Sequence, residues 1–193
     1  MRINIKRKYD KIYSKHHSLL NKELNVDEWI LVDDEIAKNI KIYKHKDIPK
    51  YFKRINKYTE RFGFGTPETV QAHERVRIEY YFEKNYEFRY HREEGPAILS
   101  FKNGTLKSED YYKNGNKGRA GAPADIVYYD DGNIASEVWY KNDEKHRTDG
   151  PAYIDYAPDG EIELEKFYLN GERFYSQEDF NEALQNQQEE LEW

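Results

Sequence analysis

The sequence predicts a mainly β fold: stacked antiparallel β-hairpins forming one sheet, preceded by an α/β N-terminal cap. Three observations carry this. Landmarks recur in register three times between residues 91 and 175, and the arginines Arg92, Arg119 and Arg147 set a period of 27 and then 28 residues. Asn103-Gly104, Asp131-Gly132 and Asp159-Gly160 recur once inside each unit, and such pairs supply the positive-φ residues that tight hairpin turns require. Apolar residues alternate on both sides of each pair: Ala97, Leu99 and Phe101 before the first, Leu106, Ser108 and Tyr112 after it, with equivalents in the next two units. Period-two alternation around a turn dipeptide reads as a hairpin. One hairpin cannot bury its own apolar face, so neighbouring units must stack.

The elements follow in chain order. Residues 9–24 place Tyr9, Ile12, Tyr13, His16, Leu19, Leu20 and Leu24 at helical spacing, and residues 48–62 do so with Ile48, Tyr51, Phe52, Ile55, Tyr58 and Phe62. Asp47 and Pro49 suit the start of that second helix. Trp29–Val32 and Ile40–Tyr43 read as short strands between them. Residues 1–65 thus form a basic α/β cap. Residues 66–175 form the hairpin region, with clear units at 91–117, 118–145 and 146–173. Upstream, Arg75–Phe82 resembles the second strand of a degenerate unit, its Tyr80-Tyr81 matching the aromatic pairs Tyr111-Tyr112, Trp139-Tyr140 and Phe167-Tyr168, and Gly65-Thr66-Pro67 a remnant of Gly-Pro-Ala. Residues 176–193 open on Ser-Gln-Glu-Asp and carry acids without bases, which predicts an acidic, capped C-terminal helix.

Composition removes several classes. Aromatics make up 16% of the 193 residues, far too many for a disordered chain. No apolar run approaches a membrane span, and the basic N-terminus leads into no apolar core of a secretory signal. Cysteine is absent, which excludes disulfides and thiol chemistry and fits a reducing, cytoplasmic setting. Residues 1–60 carry net charge +6 and residues 61–193 net charge −12. The acidic remainder argues against broad phosphate-backbone binding; the basic first third keeps that reading open.

The string His146-Arg147-Thr148-Asp149-Gly150-Pro151-Ala152, followed by Tyr156, Asp159-Gly160, Tyr168 and Asn170-Gly171, resembles a MORN-like repeat. Such units recur in bacterial antitoxin-like proteins, in bacteriophages and in large DNA viruses. The resemblance covers residues 91–175. It implies an elongated hairpin sheet without catalytic residues. The middle unit departs from the pattern, with Gly118 in place of His and Ala122 in place of the Gly before Pro.

Three sets of residues are candidates for function. Arg92, Arg119 and Arg147 either bind an anionic group on a partner or tie down hairpin corners by stacking on the repeated aromatics; recurrence at a landmark favours the structural role. Glu109, Glu137 and Glu165 recur beside Tyr111, Trp139 and Phe167 on one face. They form either a solvated face or a recognition stripe for a basic protein, with aromatics supplying contact area. The six histidines lack metal-ligand spacing, and no Cys accompanies them. No nucleophile elbow, phosphate loop or dinucleotide fingerprint occurs. No catalytic residue, cofactor or metal is therefore expected. The expected function is a non-enzymatic protein-interaction module that, on the resemblance, masks or inhibits a host protein in the cytoplasm. The alternative is nucleic-acid binding through Lys6, Arg7, Lys8 and the run Lys50, Lys53, Arg54, Lys57.

Overall fold

The computed structural model describes residues 19, 22–23, 29–33, 40–47, 51–62, 71–84 and 87–191. Strands β1 (Trp29–Asp33), β2 (Ile40–His45), β3 (Tyr51–Phe62) and β4 (Gln71–Lys84) lead into β5 (Glu87–Tyr90). The first clear unit supplies β6 (Ile98–Lys102), β7 (Thr105–Asp110) and the short pair β8 (Tyr112–Lys113) and β9 (Asn116–Lys117). The second supplies β10 (Asp125–Tyr128), β11 (Ile134–Val138), β12 (Tyr140–Lys141) and β13 (Glu144–Lys145). The third supplies β14 (Tyr153–Tyr156), β15 (Ile162–Leu169) and β16 (Glu172–Phe174), and a helix over Gln177–Leu191 follows. Among the described residues, twelve strands join one sheet in the order β1-β2-β3-β4-β6-β7-β10-β11-β14-β15-β16, with β5 on β4; β8-β9 and β12-β13 form separate two-stranded ladders. All the pairings are antiparallel. The fold is the expected mainly β stack of hairpins.

The repeat landmarks fix this geometry locally. Each unit closes twice. The long hairpins turn at Asn103-Gly104, Asp131-Gly132 and Asp159-Gly160, with the glycines at φ +77°, +86° and +94°. In the latter two, the aspartate Oδ1 accepts the N–H two residues on, from Asn133 at 2.9 Å and Glu161 at 3.1 Å, an Asx turn; in the first, Asn103 itself sits at φ +48° and its Oδ1 accepts Glu74 N–H at 2.8 Å. The short hairpins turn at Asn114-Gly115, Asn142-Asp143 and Asn170-Gly171, all at positive φ. A bulge at Ser100/Phe101, Val127/Tyr128 and Asp155/Tyr156 recurs at one place in each unit. Ala97, Ala124 and Ala152 are sealed at 0% exposure, and their carbonyls accept from Tyr80, Tyr111 and Trp139 N–H at 2.7, 2.7 and 2.8 Å. Tyr80 thus occupies the landmark position of Tyr111 and Trp139, and the expected second strand Arg75–Phe82 lies within β4; the strand that pairs before it, β3, comes from a segment expected to be helical. Gly65-Thr66-Pro67 lies outside the described residues, as do residues 9–18 of the first expected helix; Leu19, Lys22 and Glu23 are helical.

Of the helix expected over residues 48–62, Ile48 and Pro49 lie outside the described residues, and residues 51–62 are instead the twelve-residue strand β3. Its register with β4 runs unbroken from Tyr51↔Phe82 to Phe62↔Gln71. The segment is rich in aromatic and β-branched residues, and a long partner strand overrides a weak helical period. Asp47, expected to cap that helix, sits in a bend and donates its N–H to His45 Nδ1 at 3.1 Å. The strands expected at Trp29–Val32 and Ile40–Tyr43 are β1 and β2, and they extend the same sheet.

One face of the sheet carries the core. Ile55, Val76, Ile78, Tyr80, Leu99, Phe101 and Leu106 form a buried cluster, with Leu19 packed against it. The C-terminal helix closes the far end. Ser176 Oγ accepts from Asp179 N–H at 3.1 Å as its cap. Phe180 is buried against Phe167 and Phe174, with ring centres 4.9 and 6.0 Å apart. No helix among the described residues is long and apolar enough to cross a membrane.

Candidate functional site: the repeat-corner cleft

Each unit begins where the chain leaves a short hairpin and re-enters the sheet. His91, Gly118 and His146 donate their N–H to the carbonyls of Tyr80, Tyr111 and Trp139 at 3.0–3.1 Å. That bond places the next side chain over the preceding aromatic ring. The guanidinium of Arg92 lies 4.1 Å from the Tyr80 ring centre, Arg119 lies 4.1 Å from Tyr111, and Arg147 lies 4.0 Å from Trp139. Arg92 and Arg147 also donate to the carbonyls of Pro96 and Pro151 at 3.2 and 3.3 Å. Arg119, whose unit has Ala122 in place of the glycine, is exposed. The arginines therefore do stack on the aromatics of the preceding unit.

The histidines are spent on structure. His91 and His146 Nδ1 accept the N–H of Asn114 and Asn170, each at 3.1 Å, so each ring ties a unit to its own short turn. Burial, then the nearby Lys141 charge, hold the His146 pKa below the usual imidazole value. The middle unit lacks this histidine and solves the junction differently: Asp143 Oδ1 accepts Lys117 N–H at 2.6 Å, while Asp143 N–H donates to Lys117 carbonyl at 3.0 Å.

The expected acidic–aromatic stripe lies on the core face. Register runs Leu99↔Glu109↔Ile126↔Glu137↔Ile154↔Glu165 straight across the sheet, and Leu99, Ile126 and Ile154 are buried. Tyrosine hydroxyls hold the first two carboxylates. Glu109 accepts from Tyr111 at 3.0 Å and Tyr128 at 3.4 Å, and Glu137 accepts from Tyr156 at 2.9 Å. Burial and these carboxylates push the Tyr111 and Tyr156 hydroxyls up to about 12. Glu165 alone of the three is exposed, Trp139 is half-buried beneath Arg147, and Phe167 is half-buried against Phe180. The picture of a uniformly solvated glutamate ladder is corrected: side chains pointing toward the core side meet tyrosines before they meet water.

The first corner is filled from within the chain. Glu23, buried to 4% exposure, makes a fork with Arg92 at 3.0 and 3.2 Å and accepts the Tyr80 hydroxyl. Lys53, at 2% exposure, lies 5.2 Å from the Tyr80 ring centre. Burial opposes the Glu23 charge, but hydrogen bonds and charge from Arg92 outweigh it and leave the carboxyl below its usual range. Burial lowers Lys53 to about 8 against the opposing pull of Glu23. A second buried carboxylate, Glu79, takes bonds from Arg54, from Arg77 at 3.1 Å and from Tyr90 at 3.0 Å. Lys53 and Arg54 therefore do not belong to a surface basic run: one is buried and the other is paired. Lys57 is exposed, and Lys6, Arg7, Lys8 and Lys50 lie outside the described residues.

From this first corner a cleft of about 1000 Å³ opens along the units. Tyr111, Tyr112, Trp139 and Tyr140 line it, with Arg92, Lys113, Lys117, Arg119, Lys141 and Arg147 against only Glu93 and Asp149. Lys113 pairs with Glu93 at 3.0 Å and Arg147 with Asp149 at 2.8 Å. Lys117 is held by Asp110 and Asp125 at 2.6 and 2.7 Å, which raise its pKa against the cost of burial. Arg119 and Lys141 pair with no carboxylate among the described residues, and both are exposed. Such a cleft can hold an anionic group presented by a partner. No group of His, Asp and Glu suited to a metal ion occurs among the described residues.

The sequence reading left Glu23, Lys113 and Lys141 out of the site. The two lysines carried a signal, since each follows the landmark pairs Tyr111-Tyr112 and Trp139-Tyr140 at one offset. Glu23 carried none. Comparison of the chain with protein-family models, with curated proteins and with solved structures gives no match.

Proposed function

We propose that the chain is a non-enzymatic protein-interaction module that grips its partner along the repeat corners. The observation behind this reading is the row of arginine–aromatic stacks opening on one basic cleft. Trp, Tyr and Arg are the residue types that dominate interface energetics. Here they are pre-stacked, so little side-chain freedom is lost on binding. The stripe of Glu109, Glu137 and Glu165 is the weaker candidate, because tyrosines already satisfy two of its carboxylates. The repeat resemblance supports masking of a host or toxin protein as the concrete task, and the cysteine-free composition supports a reducing cytoplasm as its setting.

A photo-crosslinking residue at Thr148, on the rim of the cleft, tests the proposal against the same residue at Asp159, in a distant long-hairpin turn. The expected result is a single mapped protein adduct from position 148, lost when Arg147→Glu is added. Equal adducts from both positions, or adducts to nucleic acid, would reject it. On an identified partner, Trp139→Ala should weaken binding by about 2 kcal/mol or more, the scale of a central aromatic anchor.

A further inference from the structure

We infer that the cleft takes an acidic helix of a partner protein, whose carboxylates seven residues apart seat on Arg119 and Arg147 as this chain's own Glu23 seats on Arg92. The inference rests on the reading of the cleft as a protein-recognition site and names the chemistry of its occupant.

The first corner is the template. There a carboxylate from helical backbone reaches the fork of an arginine already stacked on an aromatic ring. Arg119 on Tyr111 and Arg147 on Trp139 repeat that stack at 4.1 and 4.0 Å. Arg119 meets no carboxylate among the described residues. The partner of Arg147, Asp149, is itself exposed and bonds through Nε, which leaves the outer edge of the fork for a second acid.

Spacing selects the form of the ligand. Successive corners are two strands apart, about 10 Å by strand spacing. Seven residues of α-helix rise about 10.5 Å and complete about two turns, so residues i and i+7 share a face and match the corner spacing. In a pleated strand, three residues span the same distance but put the two side chains on opposite faces. A helix running across the units therefore presents carboxylates to both corners. Base stacking, the other use of a basic aromatic cleft, meets an obstacle: the guanidiniums already cover one face of Tyr111 and Trp139.

The probe is a fluorescein-labelled, alanine-rich helical peptide with glutamates only at i and i+7, titrated with the full chain by anisotropy. Saturable binding is expected, weakened at least ten-fold when either glutamate becomes Gln and when the glutamates are moved to i and i+5. Arg119→Gln and Arg147→Gln should each reproduce the loss. The peptide series leaves the protein untouched, so a folding defect cannot imitate the result. Equal binding of the Gln or the i, i+5 peptide overturns the inference. So does tighter binding of a single-stranded oligonucleotide that competes at Arg147. Self-association by sedimentation that Arg147→Gln abolishes would also overturn it, by making the occupant a second copy's acidic C-terminal helix. If the peptides fail while crosslinking from Thr148 persists, the chemistry of the occupant is wrong; if both fail, the cleft is not a recognition site.

Discussion

The first and last clear units of the sheet are built from the same repeat and buried very differently. Leu106, Ile134 and Ile162 hold one landmark position in successive units, and their exposure climbs from 4% to 36% to 53%. Phe101, with its equivalents Tyr128 and Tyr156, follows the same course from buried to half-buried. The difference lies in what covers each unit. Near β4 and β6, Leu19 packs on the core face and Glu23 locks into the first corner. Further along, the equivalent corners open on the cleft. A repeat sequence dictates hairpins; it does not dictate which hairpins are covered, and the uncovered ones are where a partner has something to bind.

The largest expected effect tests the lock at the covered first corner. Glu23→Ala would leave Arg92 and Lys53 facing each other without their buried carboxylate. Removing one partner of a buried ion pair costs about 3–5 kcal/mol, and urea unfolding should show it. An effect below about 1 kcal/mol would mean the first corner is no more than a surface contact. The corner also predicts pH behaviour of both signs. The Glu23 pKa is lowered, so its stabilising contribution is complete above the unfolded carboxyl value of 4.5 and is lost as pH falls through the folded value. Lys53 falls from 10.5 to about 8, so the unfolded chain binds the extra proton between those values and stability should rise from pH 8 towards 10.5. Lys53→Met should abolish that alkaline rise.

The second prediction compares one landmark across the sheet. Leu106→Ala removes a side chain from the closed cluster and should cost about 2–5 kcal/mol. Ile162→Ala removes an equivalent side chain that is half in water, and should cost less than about 1 kcal/mol. Equal costs by denaturant titration would show that the far units are covered in solution and that the gradient of exposure is not a property of the protein.

The same contrast explains how much could be read in advance. Turn dipeptides and alternation act within about thirty residues, and the hairpins at Asn103-Gly104, Asp131-Gly132 and Asp159-Gly160 were legible from them. The arginine–aromatic stacking was legible too, because a repeated residue meets a repeated neighbour. β3 was not legible. Ile48, Tyr51, Phe52, Ile55, Tyr58 and Phe62 satisfy a helical period, and it takes the strands on both sides, β2 and the fourteen-residue β4, to make residues 51–62 a strand. Nor was the Glu23 lock legible, since it joins residues 69 positions apart, and nothing local marks one glutamate among many. The tyrosines that hold Glu109 and Glu137 lie between these cases. Their recurrence was visible, but which face turned inward depended on the cover.

The smallest effect concerns the junction between units, where one position demands opposite residues in different units. His146 ties its unit to the Asn170 turn through Nδ1. His146→Gly should cost about 1 kcal/mol, the net worth of one hydrogen bond. The middle unit has glycine at that position, and a Cβ added to Gly118 would lie 3.2 Å from the Tyr140 carbonyl oxygen, a backbone atom with little room to yield. Gly118→His should therefore also destabilise, although it restores the repeat pattern. The junction there is already closed by Asp143, which holds Lys117 N–H from φ +71°, a conformation Asp tolerates better than most residues. The pH dependence separates the two solutions. The lowered His146 pKa means its contribution is complete above 6.5 and is lost as pH falls through the folded value; His146→Gly should remove that acid-side loss. Hydrogen exchange can read each turn separately, and Asn170 N–H should lose protection across that window while Lys117 N–H does not. If Gly118→His stabilises the chain, or if both amides lose protection together, the two junctions are alike and the middle unit's departures from the repeat carry no structural meaning.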